Sequence, residues 1–94
     1  MIVMGITVKF FANFREAVGV GKIEVKEAKD VSALFQELIA KFGHKLSEQL
    51  YEGKSLRDTV IVLVNGKTIS LLDGLCTKLN DGDEVAIFPP VSGG

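Results

Sequence analysis

Tryptophan is missing from this sequence of 94 residues, and cysteine, histidine and tyrosine occur once each, as Cys76, His44 and Tyr51. One cysteine excludes an internal disulfide framework and cannot supply a multi-cysteine metal site, so a reducing, cytoplasmic setting is expected. His44 has no second histidine or cysteine near it in sequence, and it reads as a solvated loop residue. Runs of one charge are also lacking: 11 basic and 12 acidic residues alternate to a formal net charge of −1, which removes the electrostatic footprint of a nucleic-acid binder. No apolar run approaches the roughly 20 residues of a membrane-spanning helix. The apolar opening MIVMGITVKF is broken by Lys9 and has neither a basic leading segment nor a small-residue cleavage pattern, so it reads as a strand rather than a signal. A soluble protein with no nucleic-acid and no membrane partner is expected.

What is present is the composition of a globular domain, 47% apolar and 24% charged. A chain of this length makes one domain and buries roughly 60–70% of the surface it exposes when unfolded. Ile6 to Phe10 alternates apolar and polar residues, which predicts a strand with Ile6, Val8 and Phe10 inward. A loop through Gly19 and Gly21 leads to a second alternating stretch at Lys22 to Lys26, completing a long-looped hairpin. Asp30 is placed to cap a helix, because its carboxylate can accept from the free amides of the first turn. Val31, Leu34, Phe35, Leu38, Ile39 and Phe42 then form one apolar stripe of about three turns, with Lys41 in the last turn and Gly43 as the stop.

Residues 44–58 are polar and read as a short second helix or an irregular crossover. Thr59 to Val64 is a continuous apolar, β-branched run, the pattern of a strand buried on both faces or nearly so. Asn65-Gly66 tolerates positive φ at both positions and predicts a hairpin turn back into Lys67-Thr68-Ile69. Leu72 to Leu79 holds a turn of helix at most, Asn80 to Asp83 is a turn cluster, and Glu84 to Phe88 is the last strand. Pro89-Pro90 ends it, since neither residue can donate to a ladder. One long helix must bury its stripe on a mixed sheet. The expected class is therefore α+β, a β-grasp or ubiquitin-like arrangement over residues 1–88 with a flexible tail at 89–94.

The tail reads Pro89-Pro90-Val91-Ser92-Gly93-Gly94. Two glycines add nothing to a core and have a large backbone entropy to lose, so their use must lie in the terminal carboxylate. With the stretches "VKFFANFREAVG", "VNGK" and "DGDEVAIFPPVSGG", the chain resembles the MoaD-like small subunits of molybdopterin synthase, sulfur carriers related to ThiS and to ubiquitin. The resemblance implies that Gly94 is adenylated by a MoeB-like activating enzyme and converted to a thiocarboxylate. It would then donate sulfur to the dithiolene of molybdopterin or tungstopterin inside a large synthase subunit. The chain would be a sulfur-donating subunit without catalytic groups of its own.

The chemistry agrees with that role. A carboxylate is a poor electrophile until joined to AMP as a mixed anhydride; glycine at both Gly93 and Gly94 leaves the reacting carbonyl unhindered, and Ser92 and Gly93 are expected to fit a narrow channel of the partner. No cofactor is expected on this chain. ATP would belong to the partner, because Gly19-Val20-Gly21-Lys22 lacks the spacing of a nucleotide-binding loop. Phe11 and Phe88 have the opposite parity to Phe10 and Ile87, so they are expected on the sheet face away from the helix. There they would bind partners together with Pro89, Pro90 and Val91, unless residues 44–58 cover them. Cys76, between Leu75 and Leu79, reads as a small core residue. Asp81, Asp83 and Glu84 read as turn chemistry rather than a cation site. A protein modifier joined through Gly94 to target lysines is the alternative function, and a plain binding module a third.

Overall fold

The computed structural model describes residues 5–89. In chain order the elements are β1 (Ile6–Phe10), α1 (Asn13–Val18), β2 (Lys22–Val25), α2 (Val31–Phe42), α3 (His44–Leu50), β3 (Tyr51–Glu52), β4 (Ser55–Leu56), β5 (Ile61–Val64), β6 (Lys67–Thr68) and β7 (Glu84–Phe88). Short 3-10 turns at Ile69–Leu71 and Gly74–Cys76 bridge β6 to β7. Five strands form one sheet in the order β2-β1-β7-β5-β6, with β1 and β7 parallel and every other neighbour antiparallel. With the long helix on one face, this is the expected β-grasp fold. Strand β7 occupies the middle of the sheet, so Pro89 leaves from its centre.

Strand parity sends Ile6, Val8 and Phe10 of β1, Val62 and Val64 of β5, and Val85 and Ile87 of β7 to the helix side, where all are buried. Helix α2 answers with Val31, Leu34, Phe35 and Leu38, each at most 1% exposed. Burying a side chain of this kind stabilises the fold by about 1.5–3 kcal/mol, so this shared stripe dominates the energetics. The helix begins as its sequence requires: Asp30 is extended, and its carboxylate accepts from the Ala33 amide at 2.8 Å. It ends at Gly43, whose φ of 84° is open to glycine at little cost. Gly5 is needed for a different reason, since a Cβ there would lie 2.7 Å from the Val25 carbonyl oxygen.

The structure departs from the sequence reading in three places and, at residues 44–58, adds a hairpin to the expected short second helix. The β1–β2 loop contains helix α1, held by Phe14, which is 1% exposed, and closed by Gly19 in the left-handed conformation. Six residues are too few for periodicity to register. Residues 44–58 form helix α3 and a β3–β4 hairpin, with Leu46 and Leu50 fully buried; His44 begins that helix, solvated as expected, with Nε2 3.3 Å from Glu48. Strand β5 starts at Ile61 and is buried on one face only, leaving Ile61 and Leu63 half-buried on the other. Cys76 is exposed rather than in the core. Thr77 and Leu79 alternate inward, so Cys76 and Lys78 turn out.

The turn before β7 is pinned from outside. Asn65, at φ 51°, donates from Nδ2 to Asp83 Oδ1 at 2.9 Å and accepts from the Glu84 amide at 2.9 Å. Asp83 Oδ2 accepts from the Asn80 amide at 2.8 Å. Within the acidic cluster both Asp83 oxygens thus accept hydrogen bonds and Glu84 pairs with Lys9, and among the described residues no three His, Cys, Asp or Glu side chains gather as metal ligands. No helix of the described residues is long and apolar enough to cross a membrane.

Two outcomes follow from these contacts. Asp30→Ala removes the cap of α2 and should lower the unfolding free energy by about 1 kcal/mol in urea titration. Tyr51 stands edge-on to Phe35, with centroids 6.5 Å apart, and burial raises its phenol pKa above the ordinary 10.0. A raised folded-state value means that the contribution to stability is present below the unfolded pKa and is lost as pH rises through the folded one. With one tyrosine and no tryptophan in the chain, tyrosinate absorbance reports this group alone; its midpoint should lie above that of the urea-unfolded protein.

Candidate functional site

The functional candidate is the sheet face that carries no helix, together with the point where the chain leaves β7. Directly paired residues share a face, so the register defines what this face presents. Thr7 pairs with Glu84 and Lys9 with Ala86 across the parallel ladder. Phe11 continues β1 by one residue, its amide donating to the Ile87 carbonyl at 3.2 Å. Phe88 in turn pairs with Ile61, and Ala86 with Leu63.

Phe11 and Phe88 therefore meet. Their rings stack at a centroid distance of 4.3 Å and an interplanar angle of 10°, an arrangement worth about 0.5–1.5 kcal/mol beyond the area it covers. Both rings are half-buried, and Ile61 is the strand neighbour of Phe88. Residues 44–58 do not supply the cover: α3 packs on α1 and α2 and sends Leu46 and Leu50 into the core on the helix side. Immediately after Phe11 the backbone turns sharply at Ala12, with φ 50° and ψ −121°, a strained conformation for a residue with a Cβ. That turn lets α1 cross to the helix side while the Phe11 ring stays on the open face.

Pro89, half-buried, follows Phe88 at the same end of the sheet. The remaining tail positions, Pro90, Val91, Ser92, Gly93 and Gly94, lie outside the described residues. Ile61 and Leu63 extend the apolar patch and were not foreseen from the sequence, because a continuous β-branched run looks the same whether one face is buried or two. Their pairing to Phe88 and Ala86 is the signal that places them.

A β-grasp domain whose central strand runs out beside an apolar patch defines a class, that of small ubiquitin-like proteins with a terminal tail. Residues 8–94 match the ThiS family, and the chain belongs to that family. The chain is 40% identical over 93 residues to small archaeal modifier protein 3 of Haloferax volcanii, covering 97% of this chain and 100% of that one. It is 34% identical over 89 residues to the molybdopterin synthase sulfur carrier subunit of Haemophilus influenzae, covering 95% and 99%. Among solved structures, small archaeal modifier protein 1 of Methanosarcina acetivorans superposes with a TM-score of 0.85 at 35% identity over 95% of each chain. The resemblance to MoaD-like subunits is thus one side of a kinship that also includes modifier proteins.

If the stacked pair is a surface feature rather than a core one, Phe11→Ser with Phe88→Ser should leave a cooperatively folded domain in urea denaturation, less stable by about 2–4 kcal/mol for both rings together. Phe10→Ser, which empties a wholly buried site, should cost about 3–5 kcal/mol.

Proposed function

We propose that this chain is a sulfur carrier. A carboxylate oxygen of Gly94 attacks the α-phosphorus of ATP on a separate activating enzyme, diphosphate leaves, and the chain end becomes an acyl adenylate. Hydrosulfide from the sulfur donor then attacks the carbonyl carbon, its proton goes to solvent and AMP departs, leaving a thiocarboxylate. The acceptor is a pterin precursor held by a large synthase subunit, which gains sulfur from the thiocarboxylate to build the dithiolene of molybdopterin or tungstopterin. What supports this reading is the family match through residue 94, joined to a tail exit placed beside the one stacked aromatic pair on the open sheet face. A six-residue tail reaches at most about 20 Å, enough to enter a partner's pocket while the domain docks through Phe11, Phe88 and Pro89. Both partners would work in the cytoplasm.

A second reading has its own support. The 40% identity to a modifier protein favours attack on the same adenylate by a lysine amine of a target, with AMP leaving and a proton lost from the amine, giving an isopeptide bond at Gly94. Both reactions share the activated chain end and differ only in the nucleophile that resolves it.

The deciding measurement is the intact mass of the chain after incubation with ATP, an activating enzyme and a sulfur donor. A gain equal to the replacement of one oxygen by one sulfur is expected, and it should vanish when Gly93 and Gly94 are deleted. An unchanged mass with an enzyme that forms the adenylate would count against sulfur transfer. Gly-Gly remnants on cellular lysines, lost with the gene, would place the modifier role beside it.

A further inference from the structure

The open sheet face is banded along the strand axis. Nearest the tail is the apolar row of Phe11, Phe88 and Ile61. One step away, Lys22 stands directly opposite Lys9, a basic row that continues into Ala86. A further step away, Glu24 and Glu84 flank Thr7 on either side, an acidic row. Successive rows are about 7 Å apart, two residues along a strand. Lys9 Nζ reaches diagonally to Glu84 Oε1 at 3.2 Å, with the two side chains 40% and 49% exposed. Lys22 and Glu24 are exposed.

We infer that the basic and acidic rows orient the activating enzyme on this face, a step that rests on the adenylation reading above. An apolar patch is non-directional and holds a partner in any rotation. The tail allows only one. Five residues follow Pro89, and with a reach of about 17 Å the terminal carboxylate meets the α-phosphate of ATP only if the enzyme's pocket lies over the Phe88 end of the strands. Something polar on the same face must therefore set direction, and charge complementarity is what fixes register in an interface. The enzyme that fits carries an apolar surface over Phe11 and Phe88, acidic groups over Lys9 and Lys22, and basic groups over Glu24 and Glu84. Two like charges directly opposite each other, Lys9 and Lys22, destabilise a ladder when free and gain when an acidic partner covers them.

The test separates this role from sheet stability. Lys9→Glu with Glu84→Lys exchanges one charge between the two rows but keeps an ion pair and the net charge, and Lys22→Glu replaces the Lys–Lys contact with an opposite-charge one. Full-length chains are compared in ATP–diphosphate exchange with the organism's own activating enzyme, alongside thermal melting. The expected result is a melting temperature like wild type for the double swap, a KM for the chain raised about tenfold, and a wild-type KM that rises with ionic strength. Lys22→Glu should melt no lower than wild type and still raise the KM. A swap that restores both melting temperature and KM makes the pair purely structural and overturns the inference. If the swap itself melts low, Lys22→Glu decides: an unchanged KM overturns the inference and a raised one supports it. Wild-type chain that drives no exchange overturns it together with the adenylation reading, whereas active wild type with insensitive variants sinks the orientation role alone.

Discussion

The parallel ladder between β1 and β7 is the constraint on which the rest depends. It joins the two ends of the described chain, residues that are about 77 positions apart in sequence order (from the pairing of Thr7 with Glu84), and closing so long a loop costs entropy that only a well-filled core can offset. The core supplies the offset: Val8, Val85 and Ile87 meet the stripe of α2 with almost no exposure. Because side chains alternate with period two, a slip of one residue in this ladder would expose that core and bury the opposite face. The register is thereby held from the helix side, and the arrangement of the open face follows from it.

From that register comes the geometry of the candidate site. Phe11 and Phe88 stack because the β1–β7 pairing runs on by one residue, and Ile61 joins them because β5 lies on the other flank of β7. The Asn65 side chain, bridging the β5–β6 hairpin to Asp83 and the Glu84 amide, holds the opposite end of β7 in place. A tail that begins at Pro89 is thus carried by a strand fixed at its start, along its length and on both sides. Under the proposed function, in which the chain end enters another protein's pocket, a rigid mount would limit the orientations the partner has to search.

The same domain suits sulfur transfer and lysine modification because neither nucleophile belongs to it. On the proposed function the domain would offer a docking face and an acyl group on a tether, and the protein that binds next would choose between a sulfur and an amine. This division explains how relatives named for a sulfur carrier subunit and for a modifier protein can both align with nearly all of this chain. The exposed Cys76 lies in a 3-10 turn between β6 and β7 and has no part in this chemistry as drawn.

Local pattern alone determined the long helix with its Asp30 cap, the inward parity of Ile6, Val8 and Phe10, the Asn65-Gly66 turn and the final strand, because each is written in residues that are close in sequence. The opposite parity of Phe11 and Phe88 was legible for the same reason. Helix α1 and the single-faced burial of β5 were not, since six residues carry too little periodicity and an unbroken apolar run does not say what lies on either side of it. Only the tertiary structure decided that the two phenylalanines touch, that Ile61 extends their patch, that Cys76 faces out, and that Lys9, Lys22, Glu24 and Glu84 fall into rows. Each of those depends on which strands become neighbours and in what register, and that is settled by long-range packing against α2 rather than by any short stretch of the chain.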